Sequence, residues 1–401
     1  MHKPIAVVID SWDYPYNGTV VSTRRFVSAL RGKYIFRVFC TRDTRADSGS
    51  QSDDEGKVDF PRLSVPGFNR MIDSMKAPLA KPDKSSIRAG LKDCALLHVQ
   101  YPFFLGYSAI HEAKRLNMPI ICSFHIQPEN LLMNLRIKSS YIAKLLYRFF
   151  IYFFYRHADL VLAPSLFAEN LLKQHGLTVP VEVLSNGVPI HFLRVPRNRC
   201  IRKGQPDKFR ILSVGRFAGE KRQDLILRAI SKSVYRDKIE LHLVGTGPKE
   251  RELKNLAVQL SVNLEIGSVG DEQLLALYSS ADLFIHAGEI ELEGMSVVEA
   301  MAAGNTVLVS DSPDSATPTL MRDETALFKH GCADDLRVKL DSFLADPDRR
   351  TNQGIVNREW AAKFSHDESV LQLSNIYHSL ISKAQFNSKS NGKSKDQGAC
   401  R

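Results

Sequence analysis

Residues 283–310 read LFIHAGEIELEGMSVVEAMAAGNTVLVS, and the fold turns on how that stretch divides. The apolar run at 283–286 has the character of a buried strand. It ends in a loop carrying three acids, Glu289, Glu291 and Glu293, followed by Gly294. Residues 295–303 show helical apolar spacing, and 306–309 are apolar again. Strand, loop, helix and strand in so short a span predict a parallel crossover, with the loop at the carboxyl edge of the sheet.

The chemistry of the stretch lies in its acids. Glu291 and Glu299 are eight positions apart, which on one helix would be ~80° apart and about two turns along. Placing Glu291 on the loop and Glu299 in the helix lets both face one polyhydroxylated ligand at the helix start. Gly294 allows close backbone approach there. The helix N-terminus offers free N–H groups and a positive dipole end to a phosphate. The plainer account is that loop acids favour the dipole and nothing more. Glu299, however, sits among Val297, Val298, Ala300 and Met301. On that spacing it faces inward, and a buried carboxylate needs a partner.

The same alternation continues on either side. Strands are expected at 209–214, 239–244 and 264–266, and helices at 222–234, 249–260 and 272–279. Residues 212–222 read LSVGRFAGEKR. Arg216 falls just past a strand end, and Lys221 follows after a short loop. At a carboxyl edge such a pair can hold a diphosphate, the Arg by its planar fork and the Lys as a point charge. A solvated basic turn is the alternative. VGTGP at 244–248 brings Gly245 to the same edge, although its GxG lacks the third glycine of a dinucleotide fingerprint.

In the first half, strands are expected at 5–9, 35–40, 95–99, 119–124 and 160–163, with helical patterns between them. Asn17-Gly18 marks a turn after the first strand, and 41–57 is a polar loop. The predicted architecture is α/β, two doubly wound, Rossmann-like parallel-sheet domains facing a central cleft. Residues 1–193 form the first domain and 209–382 the second, whose last helix can return to the first. A Pro-, Gly- and Arg-rich linker spans 194–208, and 383–401 is expected to be a disordered basic tail.

The composition excludes a disordered, collagen-like or disulfide-scaffold chain. There are 54 Lys+Arg against 44 Asp+Glu, a net +10, which favours a phosphate-bearing partner or an anionic membrane surface. The six cysteines show no metal-ligand spacing and suit a reducing compartment. The N-terminus does not read as a signal peptide, and no run approaches the ~20 apolar residues of a membrane span. Residues 136–156, RIKSSYIAKLLYRFFIYFFYR, form an amphipathic helix. Its expected apolar face is Ile142, Leu145, Leu146, Phe149, Phe150 and Phe153, with Lys144, Arg148 and Arg156 clustered beside it. That pattern suits a membrane interface, and it equally suits a helix packed on the sheet.

Together these residues resemble glycosyltransferase family 4, which has the GT-B fold. The resemblance is carried by SVGRFAGEKRQDLILRAI, LHLVGTGP, ELEGMSVVEAMA and LSNGVP (184–189), with HVQYPFFLG and HIQPEN of a bacterial branch. It covers residues 1–380. It implies a retaining transfer of a sugar from a nucleotide sugar, a UDP-sugar first, to an acceptor hydroxyl. Arg216 and Lys221 would hold the diphosphate and stabilise the leaving group. Glu291 would bind the donor sugar, Glu299 the ribose, and His125 would lie near the transferred sugar. Gly18, Gly245, Gly294 and Met295 complete the donor set. No metal or other cofactor is expected. The expected acceptor is a lipid-linked glycan or a glycolipid, reached from the cytoplasmic face of the membrane.

The chain departs from the family at Asn17 and Thr19, which flank Gly18 where a second glycine is common. It departs again at Glu293, where an aromatic is common, and at Thr306, where a proline is common. Glu293 beside a diphosphate is unexpected, so its side chain should point away. Four other readings stay open: a same-fold transferase with a soluble acceptor, a sugar-nucleotide 2-epimerase, a non-catalytic scaffold, and a basic nucleic-acid binder. The last has no recognition motif, so no nucleic-acid partner is expected.

Overall fold

The computed structural model describes residues 3–13, 18–42, 56–64, 78–135, 137, 139–196 and 208–396, with side chains to 387. Two parallel sheets form the frame. The first has β1 (Ile5–Val8), β2 (Phe36–Thr41), β3 (Lys57–Phe60), β4 (Leu96–Val99), β5 (Ile120–Ser123), β6 (Leu160–Ala163) and β7 (Val181–Val183), in the order β3-β2-β1-β4-β5-β6-β7. The second has β8 (Phe209–Val214), β9 (Ile239–Val244), β10 (Leu264–Gly267), β11 (Leu283–His286), β12 (Val307–Ser310) and β13 (Leu327–Phe328), in the order β10-β9-β8-β11-β12-β13. This is the GT-B arrangement.

The central strands IAVV, LLHV, IICS, LVLA and LFIH are buried along their whole length. A parallel strand covered by helices on both faces must be a continuous apolar run. Each sheet accordingly has a separate apolar cluster on each face. Strands β3, β7 and β13 have no counterpart among those expected from the sequence. All three are sheet edges, where a strand has one neighbour and needs no such run.

Helix α1 (Gly18–Leu30) starts at the carboxyl edge beyond β1. Helices α2 (Pro128–Asn134), α3 (Ser140–Phe153) and α4 (Leu166–Gln174) follow β5 and β6. In the second domain α5 (Gln223–Ser231) follows β8, and α6 (Met295–Ala302) follows β11. The last helix, α7 (His366–Asp396), crosses back to the first domain. Its Leu373, Ile376 and Tyr377 join that domain's core. The Tyr377 hydroxyl lies 2.7 Å from His98 Nδ1, and Lys33 Nζ donates to Ser374 Oγ at 2.7 Å. The helix occupies 383–396, where the sequence pattern predicts a disordered tail. The expected linker falls mostly on 197–207, outside the described residues, as does Asn17.

The two interdomain crossings are bonded to each other. Val188 N donates to the Phe364 carbonyl at 2.6 Å, and His366 N donates to that of Val188 at 3.0 Å. Gly187, beside this joint, has φ +73, and a Cβ there would lie 2.4 Å from the His366 Cα. A side chain would face both backbone strain and a backbone clash. Gly187→Ala should therefore cost at least ~2 kcal/mol in urea unfolding. Wild-type stability would mean that the crossing is not the joint between the domains.

Candidate active site

The loops after β8 and β11 are tied together at the carboxyl edge of the second sheet. Glu289 N donates to the Glu220 carbonyl at 2.8 Å. Lys221 Nζ is ion-paired with Glu291, and Arg222 with Glu289. Burial alone would push the Lys221 ammonium down and the Glu291 carboxyl up. Their mutual attraction reverses both, so Lys221 is raised and Glu291 lowered, and both stay charged. Arg222 adopts left-handed backbone, φ +47, between the short turn carrying Lys221 and α5. A non-glycine residue there stores strain of about 1–3 kcal/mol, tolerated where the surroundings fix it.

The β11–α6 loop also reaches into the first domain. Leu292 is buried in that domain's core, and its carbonyl accepts from Ser165 Oγ at 2.5 Å. Ser165 is at the same time the N-cap of α4. Glu293 accepts from Ser185 Oγ at 2.6 Å, from Asn186 N at 2.8 Å and from the Asn186 amide. Its carboxylate thus points away from α6 into the domain junction. Three donors hold it, yet burial dominates and pushes its carboxyl up to about 7. Gly294 closes the loop at φ +88. A Cβ there would meet Thr317 Cγ2 at 2.4 Å, so the sharp entry into α6 requires glycine.

One cleft, about 360 Å³, receives residues from both domains. Gly18, Ser22 and Arg25 of α1 and His125 line it from one side, and Glu291, Met295 and Glu299 from the other. A Cβ on Gly18 would meet nothing within 4 Å, so packing does not demand glycine there and the space belongs to the cleft. Glu299 accepts from the Tyr278 hydroxyl at 3.0 Å. Burial raises its carboxyl, while the Arg25 charge opposes the rise. His125 Nε2 lies 3.0 Å from Gln100 Oε1, and burial lowers it to about 4. The ring is therefore neutral at pH 7, and with Gln100 as acceptor its Nδ1 is left as an acceptor.

Gly18, His125, Glu291, Met295 and Glu299 are thus gathered on one cleft, with Lys221 bound to Glu291. Four predicted residues are not part of its lining: Lys221 and Gly294, which adjoin it through Glu291 and Met295, and Arg216 and Gly245. Arg216 lines a second, larger chamber. Gly245 lies against the Gly215 carbonyl and borders neither space. The sequence analysis missed Arg25, Gln100 and His286. Arg25 stands seven residues after Gly18, two turns along the same helix face, a signal that was present. His286 Nε2 lies 3.9 Å from Glu291, behind the ion pair.

Of the apolar face expected on α3, only Phe150 is fully buried. Ala143, Tyr147, Phe150 and Ile151 face inward, while Ile142, Leu145, Phe149 and Phe153 are exposed. The sequence also showed no acids and His at ligand spacing, yet the β9–β10 pairing brings Glu240, His242 and Glu265 within 4.8 Å. That group is already satisfied in part, with His242 Nδ1 3.1 Å from Glu265 and Arg210 beside Glu240. Among the described residues no helix is long and apolar enough to cross a membrane.

Two family profiles match the chain. Residues 16–192 match Glycosyltransferase Family 4, and residues 196–360 match Glycosyl transferases group 1. A GDP-mannose-dependent alpha-mannosyltransferase of Mycolicibacterium smegmatis is 27% identical over 346 residues, 84% of this chain and 85% of that protein. The alpha-monoglucosyldiacylglycerol synthase of Streptococcus pneumoniae is 26% identical over 233 residues, 54% of this chain and 52% of the relative. The chain thus spans about half the length of some of the curated relatives it matches. Among solved structures, Anabaena HepE in complex with UDP superposes with a TM-score of 0.75 at 16% identity, over 94% of this chain and all of that one. This last likeness concerns the fold alone.

Glu293 supplies a pH test of this geometry. Its folded carboxyl titrates near 7, above the ~4.3 of an unfolded Glu. The native state therefore holds the extra proton between those values, and stability falls as pH rises through them. Glu293→Gln should remove that portion of the pH dependence. Urea midpoints of the two proteins should diverge between pH 4.5 and pH 7.5. A difference that does not change with pH would mean that Glu293 is not buried as described.

Proposed function

Each domain matches a glycosyltransferase family, Glycosyltransferase Family 4 over 16–192 and Glycosyl transferases group 1 over 196–360, and from that premise we propose that the chain is a family 4, retaining, nucleotide-sugar-dependent transferase acting on a membrane glycolipid or lipid-linked acceptor. The observation that carries this reading is the single cleft lined by Gly18, His125, Glu291, Met295 and Glu299, with Lys221 ion-paired to its Glu291. The N-terminus of α1 aims its free amides and dipole at the donor diphosphate. Glu299 takes the ribose hydroxyls, with Arg25 opposite it. His125, neutral, accepts a hydroxyl of the transferred sugar through Nδ1.

Lys221 and Glu291 change partners in the reaction. The incoming diphosphate displaces Glu291 from Lys221, and Glu291 is released to the sugar hydroxyls. The bond between sugar C1 and the phosphate oxygen then breaks, its electron pair leaving with the diphosphate. The acceptor oxygen bonds to C1 on the same face, and its proton passes to the departing phosphate. Lys221 and Arg216 stabilise the charge that gathers on that oxygen, where preorganised cations count most. No metal enters this scheme. UDP is the donor nucleotide favoured by the sequence, and the mycolicibacterial relative is named for GDP-mannose, so both nucleotides belong in the test.

Helix α3 supports the membrane side of the reading. Tyr141, Leu145, Phe149 and Tyr152 are 45–69% exposed and form one stripe. Lys144, Arg148 and Arg156 are exposed around it, and the Arg156 guanidinium stacks on Tyr152 at 3.7 Å. Aromatic and basic residues together suit an anionic interface.

Calorimetric titration with UDP, GDP and their sugars in chelator should give saturable binding of one nucleotide, lost in Arg216→Ala. Lys221→Ala should lower turnover by on the order of 10²-fold, and Glu299→Ala should mainly weaken nucleotide affinity. No binding of any nucleotide would sink the transferase reading. Separately, Phe149→Glu should cut co-sedimentation with phosphatidylglycerol vesicles by about tenfold and leave nucleotide binding intact. Unchanged vesicle binding would move the acceptor to a soluble class.

A further inference from the structure

The loop at 289–293 borders two adjoining spaces between the domains. Glu291, Leu292 and Glu293 line the smaller cleft, while Glu289 and Ile290 line a second chamber of about 1250 Å³. Ligand pockets commonly run ~300–1000 Å³, so the second chamber is the roomier of the two. Its first-domain wall comes from α2, α3 and α4, and its second-domain wall includes Arg216, Arg222 and Lys249. We infer that this chamber receives the acceptor as an uncharged, hydroxylated head group, with Glu129 accepting its hydroxyl. This assignment rests on the transferase reading above.

The entrance argues for an amphiphile. Ser140 and Lys144 of α3 line the chamber, and Tyr141 and Leu145, each the next residue along, belong to the exposed apolar stripe. A molecule whose tail lies along that stripe has its head at the chamber mouth. The charges argue for an uncharged head. Arg222 is paired with Glu289 and Lys249 with Glu252, so two of the wall's cations are already neutralised. Glu129 of the first-domain wall and Asp314 of the second remain as acids that would repel a phosphate, and Arg216, the second-domain wall's other cation, is the one assigned to the donor diphosphate.

Glu129 stands apart from the other acids of this chamber. It sits in the first turn of α2, and its Oε2 accepts from the Tyr147 hydroxyl at 3.0 Å. Its hydrogen-bond partner is thus a neutral phenol, where Glu252 and Glu289 have cations. Burial raises its carboxyl, and the nearby Asp314 charge adds to this. A half-buried carboxylate facing a cavity gains from a ligand hydroxyl in that position. Tyr147, buried and stacked on His175 at 3.9 Å between ring centres, holds the carboxylate in place. The competing account is that Glu129 serves only to satisfy Tyr147. Glu129→Gln separates the two, because the amide oxygen still accepts from the phenol while the charge is gone.

The probe is octyl glucoside below its micelle concentration, with octyl phosphate as the charged control, titrated calorimetrically with UDP and GDP present. Octyl glucoside should bind the wild type, and Glu129→Gln should weaken it about tenfold or more with unchanged thermal stability. Tyr147→Phe should lose stability as well as affinity. Equal octyl glucoside affinity in Glu129→Gln, no octyl glucoside binding, or tighter binding of octyl phosphate would each overturn the assignment. Nucleotide affinity, measured on the same samples, keeps the two readings apart. Octyl glucoside binding without nucleotide binding would remove the donor site and leave the chamber standing. The reverse would remove the chamber alone.

Discussion

Two charges that could not be buried singly hold this site together. Lys221 and Glu291 lie about a fifth exposed at the edge of the second sheet, and each keeps its charge only because the other is there. Removing one partner of such a pair leaves an uncompensated ion, which is why the geometry around it is so closely specified. The strand ends at β8 and β11 set the separation of the two loops. The strained backbone at Arg222 and the glycine entry into α6 set their direction. Arg222 with Glu289, and the amide of Glu289 on the Glu220 carbonyl, extend the same clamp by one residue on either side.

The clamp also decides how the domains meet. With Glu291 fixed, its neighbours are turned outward to the first domain. Leu292 enters the apolar core there, Glu293 reaches Ser185 and Asn186 at the junction, and the Gln127 amide donates to the Asp314 carbonyl at 3.1 Å. The loop that carries the chemistry is therefore also the interdomain contact. It borders both the cleft and the larger chamber. Any movement of the pair must be felt at the joint where Gly187 packs against His366.

The legible parts of the molecule were those governed by local pattern. Buried parallel strands announce themselves as continuous apolar runs, and Glu291 and Glu299 stood out because acids rarely sit where they do. Edge strands carry no such run, so β3, β7 and β13 were silent. The helical wheel of α3 gave an apolar face without saying whether it packs inward or meets an interface; the sheet takes the face with Ala143 and Tyr147, which leaves Phe149 and Leu145 outside. Glu129 lines the chamber and Gln100 meets His125 only through tertiary approach, and each looked like an ordinary polar residue in the sequence, whereas Arg25 shared a helix face with Gly18 and was legible. Glu293 was the instructive departure, because a residue out of place beside a diphosphate turns out to be bound to the domain junction.

The ion pair has a consequence for how binding energy is used. A ligand-free site with Lys221 already neutralised is a weaker trap for phosphate than a bare cation would be, so some donor affinity is given up in separating the pair. That loss falls on the ground state, where tight binding does nothing for turnover. In the proposed cycle Glu291 moves to the sugar, and Lys221 then faces a diphosphate whose negative charge grows as the C1–O bond breaks. Its contribution is then largest at the transition state. In that cycle Glu291 serves both states, holding the lysine charged and placed before the donor arrives and holding the sugar afterwards. A lysine without such a partner would be pushed toward neutrality by its own burial, and the site would lose the cation before any substrate reached it.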